Sequence, residues 1–188
     1  MENGPDQKTS STPRCLVLIG FMGSGKSSVG RKLQEQLGYT LIDTDQLIEK
    51  RQGKSIPKIF STDGEDVFRD IECELLKELV NDSPSNRIIS TGGGIILRES
   101  NRKLLRELGF VVWLKATPEE ILERTSRNNH RPLLQTKDPK GAVARLMAER
   151  DSLYRDTAHL ELDTKGLDIE EVCAGILDCA SYHFTHGD

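Results

Sequence analysis
The sequence predicts an α/β protein in three layers, a parallel sheet covered by helices on both faces. Three observations predict it. Short apolar runs of strand length alternate with segments of helical period from Cys15 onward, the pattern of a parallel sheet. The first run, Cys15-Leu16-Val17-Leu18-Ile19, is continuously apolar, as a strand buried on both faces must be. A glycine-rich turn follows it and opens directly into a helical stripe.

That helix is predicted from Ser27 to Leu37, with Val29, Leu33 and Leu37 on one stripe and Gly38 to end it. Tyr39 to Ile42 reads as the second strand. A helix-rich stretch runs from about 45 to 80, broken near Gly53 and Gly64. Arg87 to Ser90 is the third strand and runs into Gly92-Gly93-Gly94. Glu99 to Leu108 reads as a helix and Phe110 to Leu114 as the fourth strand. Thr117-Pro118-Glu119-Glu120 starts the next helix, with a capping Thr, a first-turn Pro and two acids. Arg127 to Pro139 fits neither period and carries Asn128-Asn129, two prolines and several basic residues. A loop that long inside a compact domain is usually functional, and a mobile lid is expected there. A charged helix passes through Arg150, His159 to Leu162 is a fifth strand, and Ile169 to Ala180 a last helix.

The 188 residues suit one domain with its own core, expected over 14–188. Residues 1–13 are polar, lack the apolar centre of a signal peptide and are expected to be a disordered tail. The net charge of −4 gives no polyanion-binding signature, so no nucleic-acid partner is expected. No apolar run approaches the roughly 18 residues of a membrane span. Cys15, Cys73, Cys173 and Cys179 form no Cys-x-x-Cys pair, and read as reduced thiols of a cytoplasmic protein. A monomer is expected, because no long apolar stripe is left uncovered.

Gly20-Phe21-Met22-Gly23-Ser24-Gly25-Lys26-Ser27 matches G-x-x-x-x-G-K-[ST] between a buried strand and a helix, the context that phosphate binding requires. Glycines let backbone N–H groups turn inward around phosphates. The helix N-terminus adds positive partial charge. Lys26 is a point charge for the β- and γ-phosphates, and the Ser27 hydroxyl reaches Mg²⁺. The motif specifies a nucleotide and leaves the acceptor open.

Asp43-Thr44-Asp45 closes the second strand. In an extended segment both carboxylates face one side, toward the cleft at the C-terminal ends of the strands; the competing reading is a helix cap. The third strand lacks the Asp that many P-loop proteins carry at its end, and Asp43 is the natural replacement. Arg69 and Glu72, in Phe68-Arg69-Asp70-Ile71-Glu72, are three apart and can pair; spacing alone fits a surface pair equally well. The triple glycine suggests a ligand close to the backbone. Arg150 alone reads as part of a solvated face.

Together the P-loop, the Asp-x-Asp, the Phe-Arg-x-x-Glu, the triple glycine, Arg131-Pro132-Leu133-Leu134 and Arg150 resemble the shikimate kinase family, in that family's order over about 15–165. The resemblance implies a P-loop kinase fold similar to nucleoside monophosphate kinases, with strand order 2-3-1-4-5 and a substrate-binding helical region at about 43–81. It implies ATP and shikimate as substrates, Mg²⁺ as cofactor and the 3-hydroxyl as acceptor. Gly23, Ser24, Gly25, Lys26, Ser27 and Ser28 would hold the phosphates, Arg124 would pack near the adenine, and Arg131 would reach the phosphates from the lid. Ser27 and Asp43 would serve the metal. Asp45 would receive the acceptor hydroxyls, Arg69 and Arg150 would clamp the carboxylate, Gly92, Gly93 and Gly94 would line the acceptor, and Glu72 would orient Arg69. The alternatives are another small-molecule kinase, for gluconate or a nucleoside monophosphate, and a non-catalytic ligand-sensing relative.

Overall fold
A computed structural model describes residues 15–82, 85–126 and 138–186. The expected tail and most of the expected lid lie outside them. Five strands form one sheet: β1 (Cys15–Ile19), β2 (Thr40–Asp43), β3 (Arg87–Ser90), β4 (Phe110–Lys115) and β5 (Leu160–Asp163). Their order is β2-β3-β1-β4-β5, and every pairing is parallel. The helices are α1 (Lys26–Leu37), α2 (Thr44–Gln52), α3 (Ile56–Thr62), α4 (Glu65–Asn81), α5 (Glu99–Leu108), α6 (Pro118–Ser126), α7 (Pro139–Thr157) and α8 (Ile169–His186), with a 3₁₀ turn at Ile95–Leu97. Asp138 and Pro139, expected in the lid, start α7: the Asp138 side chain accepts from the Gly141 N–H at 2.9 Å.

Alternate residues of the strands build two cores. Cys15, Val17, Ile19, Ile89, Val111 and Trp113 pack against α2 to α5 and α7. Leu16, Leu18, Ile88, Val112 and Leu114 pack against α1 and α8. Burial on both faces is why β1 shows no polar alternation. Local chemistry ends the helices where the sequence indicates. At α6, Thr117 and Glu120 exchange hydrogen bonds in a capping box. At α1, Gly38 adopts φ 68°, and its N–H bonds the Gln34 carbonyl.

β4 is tied to the start of β5 by an exchange in which the Val111 N–H donates to His159 Nδ1 at 2.9 Å and the His159 N–H donates to the Val111 carbonyl at 2.8 Å. Burial first, then Arg106 and His183, push the His159 imidazole down to about 4. Protonation of Nδ1 would remove the acceptor for Val111. Because the folded value is depressed, the stabilisation is complete above the ordinary histidine value near 6.5 and is lost as pH falls from there toward 4. Denaturation midpoints should therefore drop between pH 7 and pH 4.5. His159→Asn, whose side-chain oxygen can accept in place of Nδ1, should show a shallower drop; an unchanged slope would exclude His159 as its source.

Candidate active site
The motif after β1 leaves the sheet and enters α1 through Gly25, which caps the helix at φ 97°. A side chain at Gly25 would meet nothing within 4 Å, so the backbone conformation, not space, requires glycine here. The first N–H groups of α1 consequently open into a cleft of about 340 Å³. Its lining includes Gly23, Gly25, Lys26, Ser27, Ser28, Asp43, Asp45, Ser90, Thr91, Gly93 and Arg124. A larger cavity of about 430 Å³ lies beside it along Phe21, Trp113, Met147 and Tyr154. The smaller one holds the convergent polar groups and is the candidate active site.

Lys26 is 8% exposed. Its ammonium donates to the carbonyls of Gly20 and Phe21, each at 2.8 Å, and to Ser24 Oγ at 3.5 Å. Ser24 is buried beneath the loop and does not line the cleft. Arg124 reaches back from α6 to the Gly23 carbonyl at 3.2 Å.

Asp43 and Asp45 both line the cleft, although the extended-segment reading is corrected. The strand ends at Asp43, which caps α2 by accepting from the Gln46 N–H at 3.1 Å; Asp45 lies in the first helical turn. The chain turns here because Thr44 is fully buried and its hydroxyl accepts from the Gly92 N–H at 3.2 Å. Burial pushes the Asp45 carboxyl up to about 6, Asp43 adds to the rise, and Lys26 and Arg69 oppose it. Ser90 lies in register with Asp43 across β2 and β3. Its hydroxyl is buried, lines the cleft and has no hydrogen-bond partner. Sequence reasoning missed Ser90, whose signal was the missing Asp at the end of β3.

The triple glycine also has a reason within the protein. None of Gly92, Gly93 and Gly94 is among the glycines with positive φ. A β-carbon on Gly92 would lie 2.5 Å from Asp45 Oδ1, and one on Gly94 would lie 2.5 Å from Arg69 Nη2. At these two glycines the closest approach is by the side chains of Asp45 and Arg69. Gly93 presses on the P-loop, where a β-carbon would come 3.2 Å from the Met22 nitrogen.

Arg69 and Glu72 form a buried pair, not a surface one. Arg69 is 8% exposed and Glu72 1%. Arg69 donates to Glu72 at 2.7 Å and to Glu65 at 2.8 Å, and lies over the Phe60 and Phe68 rings. Burial pushes the Glu72 carboxyl up against the pull of Arg69. One Glu72 oxygen has no partner. Arg150 is half-buried and stacks over Phe21 of the P-loop at 5.6 Å. Arg69 packs against Gly94, and Tyr154, one turn beyond Arg150, bonds the Gly93 carbonyl, so α4 and α7 carry the two arginines toward the same glycine loop. Neither lines the phosphate cleft itself. Arg131 lies outside the described residues. Among them, no helix is long and apolar enough to cross a membrane.

A family model described as shikimate kinase matches residues 22–181. A shikimate kinase of a Marinomonas species is 41% identical over 168 residues, 89% of this chain and 92% of the relative. One from Burkholderia thailandensis is 45% identical over 149 residues, 79% and 80% of the two chains. The structure of the Acinetobacter baumannii shikimate kinase in complex with shikimate superposes with a TM-score of 0.83 at 38% identity, covering 93% of this chain and 96% of that one. The protein belongs to the shikimate kinase family.

Proposed function
We infer that this protein transfers the γ-phosphoryl group of ATP to the 3-hydroxyl of shikimate, forming shikimate 3-phosphate in the route to aromatic amino acids. The observation that carries the reading is the meeting of two chemistries: a phosphate loop with a buried Lys26, and Asp45 with Arg69 packed against the glycines beside it. Phosphoryl transfer through a loose transition state asks the protein mainly to position groups and to neutralise charge. Lys26 supplies charge to the β- and γ-phosphates, the α1 N-terminus and the N–H groups of Gly23 to Ser28 cradle them, and Arg124 flanks the adenine. Shikimate carries one carboxylate and three hydroxyls. Arg69 and Arg150 hold the carboxylate by paired planar hydrogen bonds, the Gly93 N–H adds a contact, and Asp45 accepts from the hydroxyls.

Mg²⁺ is part of the proposal. It prefers oxygen donors and keeps several of its waters, and the cleft's lining meets that preference with Ser27, Asp43 and the unpartnered hydroxyl of Ser90. When bound, it would neutralise charge on the phosphates. Cytoplasmic location and a monomeric working state belong to the same proposal.

The deciding test is ADP release with shikimate, gluconate and nucleoside monophosphates offered in parallel. Turnover with shikimate at least about a hundredfold above the others is expected, since a site built around buried polar groups rejects ligands that leave them unpaired; preference for another acceptor would overturn the assignment. Asp45 adds a pH signature. With its carboxyl raised to about 6, shikimate binding measured without nucleotide or Mg²⁺ should weaken as pH falls through 6, because a protonated carboxyl must donate where it had accepted. A raised acid contributes stability at low pH that is lost as pH rises through the folded value. Asp45→Asn should therefore melt higher than wild type near pH 7.5 while binding shikimate more weakly. Unchanged shikimate affinity would reduce Asp45 to a structural residue.

A further inference from the structure
Tyr154 on α7 is 2% exposed, and its hydroxyl donates to the Gly93 carbonyl at 2.5 Å, across 61 residues of chain. Burial pushes its phenol well above the ordinary range, so the group stays a protonated donor. Its ring stacks on Trp113 of β4, with centroids 5.4 Å apart and planes 17° from parallel. Three consecutive glycines have little conformational preference of their own, and something must fix them if a backbone N–H there is to meet a ligand. Two anchors do so. The Gly92 N–H is held by Thr44 at 3.2 Å, and the Gly93 carbonyl by Tyr154. The planar peptide carrying the Gly93 N–H lies between these two held groups.

We propose that Tyr154 is a positioning residue for the acceptor loop: it fixes the Gly93 peptide, couples it to the helix that carries Arg150, and transmits acceptor binding to Trp113. This rests on the acceptor reading given above. The single tryptophan of the chain makes the coupling observable. Lys115 and Arg155 lie over the same indole, at 4.7 and 5.9 Å, so a small shift of the ring changes its electrostatic surroundings.

The experiment compares wild type with Tyr154→Phe, which keeps the ring on Trp113 and removes the hydroxyl. Losing one hydrogen bond of ordinary strength predicts a shikimate KM about three- to tenfold higher, with the KM for ATP within about twofold. In wild type, saturating shikimate without nucleotide should change the Trp113 emission, and in the variant that change should fall by about half or more. The inference is overturned if the shikimate KM is unchanged, or if both KM values rise together with a fall in Tm, which marks a purely structural residue. It is also overturned, whatever the variant does, if calorimetry shows shikimate binding to wild type with no change in emission. Absence of shikimate binding to wild type by calorimetry would overturn the acceptor reading itself, and this inference with it.

Discussion

Lys26→Ala is expected to lower kcat by about 10³-fold, the cost of removing one preorganised charge at a reacting centre. The ammonium is held in the loop by the carbonyls of Gly20 and Phe21, and reaching a phosphate means exchanging a loop acceptor for a phosphate oxygen. The same contacts mean that the substitution frees two loop carbonyls, and a modest fall in Tm should accompany the loss of turnover. Melting curves and kcat at saturating ATP and shikimate measure the two effects separately. A kcat within a few-fold of wild type would remove Lys26 from the transfer step.

Arg69→Ala and Arg150→Ala should both raise the shikimate KM by about thirtyfold or more, from losing at least about 2 kcal/mol at one partner of a desolvated charge pair, and should leave the KM for ATP nearly unchanged. They should differ in stability. Arg69 neutralises Glu72, which is 1% exposed and already has one unpartnered oxygen. Removing it strands a buried carboxylate at a cost of about 3–5 kcal/mol. Arg150 is half-buried over Phe21, and its loss should cost far less. Combining Arg69→Ala with Glu72→Gln should recover much of the stability and none of the shikimate affinity. Equal effects of either arginine on both substrates would assign that residue to the scaffold. Recovery of affinity in the double variant would place the acceptor defect in the stranded carboxylate.

The parts legible in the sequence rest on apolar composition and on short-range physics. A continuous apolar run marks a strand buried twice, and β1 is such a strand. Thr117 with Glu120 three residues later marks a helix start, because the two exchange hydrogen bonds across a single turn. The phosphate loop is equally local: Gly25, Lys26 and Ser27 act through the backbone that joins them to α1. The helix start and the phosphate loop find their partners within a few residues, so spacing carries the information; β1 shows itself by composition alone, although its strand partners begin at Arg87 and Phe110.

Asp43 and Asp45 show where spacing stops carrying it. Alternation along a strand would bring both carboxylates to the cleft, but a helix cap does so instead, and the turn depends on Thr44 meeting Gly92, 48 residues away. The burial of Arg69 and Glu72 could not be read from their separation of three, since Phe60, Phe68 and Gly94 create the enclosed site. The triple glycine was legible as a place of close approach, and only packing showed that Asp45 and Arg69 make it. Tyr154 carried no motif; its hydroxyl meets the Gly93 carbonyl, 61 residues away, only because the fold brings α7 beside that loop. By itself the sequence determined the layered fold, through the apolar pattern of its elements, and the phosphate cradle, whose residues are neighbours along the chain. Tertiary structure alone decided the burial, charge and anchoring of the acceptor side, because desolvation depends on every segment that excludes water from a group, and those segments are distant in sequence.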